Sequence, residues 1–582
     1  MPNIIKSPNL STTSYSVPQN AEAVFRDGVL GNPLVMKELP TEAVECARNI
    51  QFEGSSNPSI PVNWRFAESV TALKAYEATI INVLLKRKYG IEAPHVKIDT
   101  DHAQLFIMSA LLWTVDPDGE KMTAASIQES EFRARLAKLF PSWDKYGAVA
   151  TPHASSATNI YKCKDEKFFH IHGSLNPEPT LKSLGLPITT PAKTLEEAWP
   201  TFVEAVGKIS SNELQHKVSD VFRQAGTICY TADEYRNSEQ GKSNTHVGLF
   251  EIHHHRNLVQ GPSWWPDSPR TSAVRPLAGL KVLDLTRVIA APAASRGLAE
   301  LGAHVMRIAA PHLPDTSALH VDLNVGKWNA LLDLRQPEDR QKLRDLIMEA
   351  DVFLQGYRPG ALDKYGFGEQ DILALCKQRE RGIVYARLNT YGWQGPWSQR
   401  SGWQQISDAS CGVSFQFGQA MGNDEPVTPV FPNSDYCTGI TGTIGIMTAL
   451  LRRAQTGGSY TVDIALNYYS RWLVDSCGVY PDKVWEELWT RNGRQVFRHF
   501  HNMQYTLPKV LGLLVKSKPQ VLFRPEFYTT THAKVVDKDI RIVAPVLRYP
   551  NGEVEPGYDI GTRTNGVDQP RWPQDLTVEV VV

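Results

Sequence analysis

The stretch Leu280-Lys-Val-Leu-Asp-Leu285, Thr286-Arg-Val-Ile-Ala-Ala-Pro292, Ala293 to Leu301 and His304-Val-Met-Arg-Ile308 decides the fold. It reads as a short apolar strand, a loop closed by proline, a helix stopped at Gly302 and a second strand. The alternation continues with a helix over 338–350, a strand over 351–354, a helix over 369–377 and a strand over 382–387. Strands alternating with helices predict an α/β fold built on a doubly wound parallel sheet. A ligand of such a sheet sits at the first strand–helix loop. Here that loop has no Gly-x-Gly-x-x-Gly, and no Walker glycine–lysine loop occurs elsewhere, which disfavours NAD, FAD and a P-loop nucleotide.

Downstream, Val430-Phe-Pro-Asn-Ser-Asp-Tyr-Cys-Thr-Gly439 opens a long helix. Pro432 stops the preceding chain, and Asn433 or Ser434 can cap. Asp435 falls in the first turn, where backbone N–H groups and the helix dipole favour an ionised carboxylate. Gly439, Gly442 and Gly445 leave one face nearly bare, although each glycine costs about 1 kcal/mol relative to alanine. Such a face predicts close approach of another element or a ligand. Arg452, Arg453 and Gly457-Gly458 end the helix. Asp435 is thus a candidate nucleophile, set against the plainer reading of an ordinary first-turn Asp.

Residues 1–150 read as a mainly helical region, with a polar, loosely attached lead over 1–40 and a strong amphipathic helix over 64–88 stopped by Gly90. This helix echoes the Asp435 helix within 431–465. Counting back from Gly90 and Gly457 sets Glu68 opposite Asp435, and a one-residue gap sets Ser69 there. Residues 155–260 form a smaller α+β lobe with a hairpin at 161–173 and a last strand over 247–253. Residues 261–275 are a Pro-rich linker, 276–475 the large domain and 476–582 a C-terminal extension.

With 582 residues, 42% apolar and 21% charged, the chain has ample core, and its net charge of -1 gives no bulk attraction for nucleic acid or an anionic membrane. No signal peptide or membrane span is legible, and seven cysteines without a Cys-x-x-Cys pair suit reduced thiols rather than zinc. The expectation is a cytoplasmic protein. His170 with His172 and His253 with His255 lack an accompanying carboxylate or cysteine at ligand spacing, so they read as surface or partly buried histidines and no metal site is expected.

Several segments together resemble one family. Pro276 to Ala293, Leu298-Ala-Glu-Leu-Gly-Ala-His-Val305, Gly326-Lys327, Tyr357-Arg-Pro-Gly-Ala-Leu-Asp-Lys-Tyr-Gly-Phe367, Tyr391-Gly-Trp-Gln-Gly-Pro-Trp397 and Asp435 before Thr438-Gly439 are similar, in order, to the class III CoA-transferases of the CaiB/BaiF type. Formyl-CoA transferase, carnitine CoA-transferase and alpha-methylacyl-CoA racemase belong to that family. The resemblance implies a Rossmann-like large domain, acyl-CoA as substrate with no permanently bound cofactor, and Asp435 as the catalytic aspartate. It implies CoA contacts from Val288, Ala290, Lys327, Tyr357 and Lys364. Ala310 and Gly356 depart from the family pattern, where Arg and Asn are common. The small lobe precedes the large domain instead of following it. Family members are interlocked dimers, so a homodimer or an intrachain pseudo-dimer is expected.

The implied reaction moves CoA between an acyl-CoA and a carboxylate acceptor through an aspartyl intermediate, with N–H groups near Gly392–Gly395 as candidate oxyanion donors. One rival is an acyl-CoA racemase, which needs a second acid/base group where this chain carries Gly402-Trp403-Gln404. The other is a catalytically degenerate scaffold subunit.

Overall fold

The computed structural model describes residues 15–126, 129–576 and 578–581. Its largest sheet has seven strands. Lys281–Leu285 pairs in parallel with His304–Ala309 on one side and Val352–Gln355 on the other. Lys327–Leu331 extends one flank, and Val384–Asn389 then Ser459–Ala465 the other, all parallel. Side chains alternate between two cores. Val282, Val305, Val352 and Val384 join the helices Ala290–Glu300 and Asn433–Thr456, while Leu283, Met306, Phe353 and Tyr385 join Pro337–Glu349. Burial on both faces explains why these strands read as continuous apolar runs.

Phe250–His255 closes the sheet edge, antiparallel to 459–465. This corrects its placement in the small lobe. With Phe250 buried and His253 and His254 exposed, the strand has the pattern of any half-covered edge, which does not name its sheet. The lobe's own antiparallel sheet is Asn159–Lys162, Phe168–Ile171 and Gly226–Ile228, packed on Phe202 and Val206 of Leu195–Gly207. A further sheet joins Thr114–Val115 and Met122–Thr123 to Tyr528–Ala533 and Lys538–Val543, so the first and last parts of the chain share a core.

The lead segment is anchored over 15–40. Helix Val17–Phe25 puts Val24 and Phe25 into the main core, and residues 1–14 lie outside the described residues. Trp265 anchors the Pro-rich segment as well: it is buried, and its indole N–H donates to the Ala278 carbonyl at 3.0 Å.

The bare face of the Asp435 helix meets protein. A Cβ on Gly439 would stand 2.7 Å from Ala293 Cβ, on Gly442 3.0 Å from Ala294 Cβ, and on Gly445 2.8 Å from Val462 Cγ1. The glycines let helix 290–300 and strand 459–465 close onto backbone, which holds the start of the Asp435 helix beside the first strand–helix loop.

Helix Phe66–Leu84 also packs on the Asp435 helix. Each is followed by a strand, Val96–Asp99 or Ser459–Ala465, that pairs in parallel with an earlier one, Ile50–Glu53 or Val384–Asn389. A short helix comes next in both, Thr100–Phe106 or Leu466–Trp472. Among the described residues no helix is long and apolar enough to cross a membrane.

Candidate active site

Loops leaving the carboxyl ends of the parallel strands enclose a cavity of about 580 Å3, the place where open α/β sheets take ligands. Its wall includes Arg287–Ala291 after the first strand, Ala310 and His312–Pro314 after the second, Gly356–Pro359 after 352–355, and Thr390 after 384–389. Val288 holds φ +69°, a left-handed conformation that strains a β-branched residue and recurs at ligand-binding loops.

Val288, Ala290, Tyr357 and Lys364 all line this cavity, as do Ala310 and Gly356. Lys327 does not, which corrects the expected CoA contact. It is fully buried beneath the first loop, with Nζ 3.1 Å from Asp284 Oδ2, 2.8 Å from Ser295 Oγ and 2.8 Å from the Pro292 carbonyl. Burial lowers its amine to about 8, against the pull of Asp284. Lys327 braces the loop from inside.

The cavity's cations are largely ones the sequence reading did not single out: Arg287, Arg358 and Arg400 join Lys364. Arg287 donates to the Pro314 carbonyl at 2.7 Å and lies 5.2 Å from the centre of the Tyr357 ring. Arg358 donates to the Arg223 carbonyl at 2.8 Å, and its pKa is lowered by burial and by Arg287 and Arg223 beside it. Arg400 pairs with Asp220 at 3.1 Å and 3.2 Å, whereas Arg287 and Arg358 have no acidic partner among the described residues. Such guanidinium groups around an aromatic face suit phosphates and a planar base. The signal was present in the quoted sequence, since Arg287 directly follows the strand-end Thr286 and Arg358 follows Tyr357.

Asp435 borders this cavity and a second, smaller space on its other side. It is the third residue of its helix. Neither expected cap forms: Asn433 Nδ2 donates to Tyr469 Oη at 2.6 Å, and Ser434 Oγ donates to Asp408 Oδ1 at 3.0 Å. Burial, and then the Asp408 carboxyl, push Asp435 up to about 8. Desolvation thus opposes the expected ionisation of a carboxylate at a helix start and raises its pKa. Asp408 is itself pushed up to about 7 by burial, partly offset by Ser434 and Gln404.

The Gly392 N–H is committed to Asn389 Oδ1 at 2.9 Å, and residues 392–395 do not line the cavity, so they supply no oxyanion donor there. His170 and His172 are buried, where the sequence reads them as surface or partly buried histidines. His172 stacks on Trp403 at 5.2 Å; its Nδ1 accepts from the Ser174 N–H at 2.9 Å and its Nε2 lies 3.2 Å from Gln405 Oε1. Both ring nitrogens are thereby engaged, and burial lowers the imidazole to about 3. The fold does bring a carboxylate to His253, from the neighbouring strand: ligand atoms of Glu251, His253 and Asp463 lie within 4.8 Å of one another. Arg387 already pairs with Asp463, at 2.5 Å and 3.1 Å.

Glu68 is also the third residue of its helix, but it lines neither of these cavities. Tyr15 donates to its Oε1, Tyr480 to its Oε2 at 3.2 Å, and Arg65 Nε lies 3.9 Å away.

The family model described as CoA-transferase family III matches residues 277–496. Over 98% of this chain and 96% of the relative's length, the sequence is 49% identical to "Acetyl-coenzyme A transferase nodX" of Hypoxylon pulicicidum. "Acyl-CoA transferase" of Gibberella moniliformis is 32% identical over 88% of each chain. "Succinyl-CoA:glutarate CoA-transferase" of Homo sapiens is 28% identical over 47% of this chain and 67% of its own. The chain belongs to CoA-transferase family III. It is an enzyme, a transferase that uses acyl-CoA as substrate.

Proposed function

We propose that this chain moves CoA from an acyl-CoA to a second carboxylic acid, with Asp435 as the covalent relay. The observation that carries the reading is the position of Asp435: a carboxyl lining both a cation-lined 580 Å3 cavity and the smaller space next to it. CoA phosphates lie among Arg287, Arg358 and Lys364, with the adenine near Tyr357, Val288 and Ala290. The Asp435 carboxylate attacks the thioester carbonyl, giving a mixed anhydride and CoA thiolate. The thiolate attacks the aspartyl carbonyl, forming aspartyl-CoA and releasing the donor acid. The acceptor carboxylate then attacks that thioester, and the expelled thiolate takes the acceptor's acyl group, restoring Asp435.

The large sheet is read as a doubly wound, Rossmann-like unit, and the Glu68 region as the matching part of a second unit. An intrachain pseudo-dimer is supported by the two packed helices, each with an acid at its third position and each followed by a strand and a short helix in the same order. Racemisation is disfavoured, because Trp403 moves no proton and both His172 nitrogens are engaged.

Asp435→Asn tests the reading. CoA exchange between acetyl-CoA and a panel of carboxylic acids should fall at least about a thousandfold, the scale of losing a covalent nucleophile, with CoA affinity retained. Transfer at the native rate would sink it.

A further inference from the structure

The second space bordering Asp435 has a volume of about 240 Å3 and a different character from the CoA-side cavity. Met108 and Leu111 form one wall, Leu319 and Ile289 another, and Met503 and Leu507 of helix Met503–Ser517 a third. No lysine or arginine lines it among the described residues, whereas Arg287, Arg358, Arg400 and Lys364 line the larger cavity. We infer that this chamber holds the acyl chain of the exchanged acids, and that it selects an uncharged, apolar chain over a dicarboxylate.

The polar groups of the chamber support the same selection. Ser174 Oγ accepts from Trp403 Nε1 at 2.9 Å, and Gln405 Nε2 lies 3.2 Å from Met503 Sδ. His172, with both nitrogens engaged, stays neutral. Gln404 Nε2 donates to Asp408, leaving Gln404 Oε1 buried without a partner. With no cation lining the space, a second carboxylate there would be a buried unpaired charge, which is strongly disfavoured. Allowing each non-hydrogen atom a water's share of about 30 Å3, the space admits a chain of roughly eight such atoms. Met108, Leu111, Met503 and Leu507 lie outside the 277–496 match to the family model, so these specificity determinants come from the chain's flanking segments.

The assignment rests on the proposed role of Asp435, so its test reads binding and not turnover. Calorimetry on Asp435→Asn compares CoA, hexanoyl-CoA and succinyl-CoA. Hexanoyl-CoA should bind at least tenfold more tightly than succinyl-CoA. Met503→Trp in the same background, which fills the chamber, should remove that advantage while leaving CoA affinity within about twofold. A straight-chain series from propionyl-CoA to dodecanoyl-CoA needs no chamber substitution, and its affinity should rise and then stop rising near eight acyl carbons. Equal or tighter binding of succinyl-CoA, with CoA itself bound, would overturn the chamber assignment alone. Failure of CoA to bind would overturn the CoA site and the chamber with it.

Discussion

Asp435 and Glu68 occupy the same place in two helices that pack against each other, yet only Asp435 lines the two cavities described above. Asp435 stands between two cavities with no hydrogen-bond donor on it among the described residues, and burial with Asp408 raises it to about 8. Burial raises Glu68 too, but Arg65 and two tyrosine hydroxyls pull against it, and the side chain is fully buried. A helix-start acid is therefore not a nucleophile by position alone. What lies in front of it decides between chemistry and structure.

The sharpest way to break this contrast is to swap the consequences. Asp435→Asn should abolish transfer while melting close to the parent protein. Asp435 accepts no hydrogen bond among the described residues and burial already favours its uncharged form, so a neutral amide of the same shape strands no partner. Glu68→Ala should do the reverse. It takes the counter-charge from Arg65, which keeps its hydrogen bonds to the Cys477 carbonyl and Asn20 Oδ1, and strips the Tyr15 and Tyr480 hydroxyls of their acceptor. The loss of about 1–3 kcal/mol should be visible in denaturant unfolding, while the specific activity of the folded fraction stays within about twofold. A Glu68→Ala protein of native stability, or one folded but inactive, would break the comparison.

A smaller effect sharpens the Asp435 side. Transfer needs the carboxylate, and Asp435 is raised in the folded protein, so kcat/KM should climb as pH rises through about 8. Asp408→Asn removes the second of the two causes and leaves burial in place. The rise should then move to lower pH by up to about one unit. The sign for stability is opposite: folding favours the protonated form of a raised carboxyl, so its contribution is present at acid pH and lost as pH rises through about 8. An unchanged profile in Asp408→Asn would remove Asp408 from the account.

The sequence carried the order of strands and helices from 276 to 470, because two-sided burial writes itself as unbroken apolar runs. It also carried the helix start at Asp435 and the close-packed glycine face, which are local features. Lys327 was misread because its partners, Asp284, Pro292 and Ser295, converge only once the first loop is folded over it. The raised pKa of Asp435 was illegible for a related reason, since the N–H end of a helix is visible in sequence but the desolvation imposed by packing is not. The edge strand 250–255 and the walls at 108–111 and 503–507 were illegible because each meets its neighbours across hundreds of residues.

The central claim is one competent acid per chain. The most direct measurement is mass spectrometry of the intact enzyme, then of its peptides, after incubation with acetyl-CoA and rapid acid quench. Up to one CoA-derived thioester per chain is expected, on Asp435, absent from Asp435→Asn and present in Glu68→Gln. An adduct on Glu68, or two per chain, would contradict it.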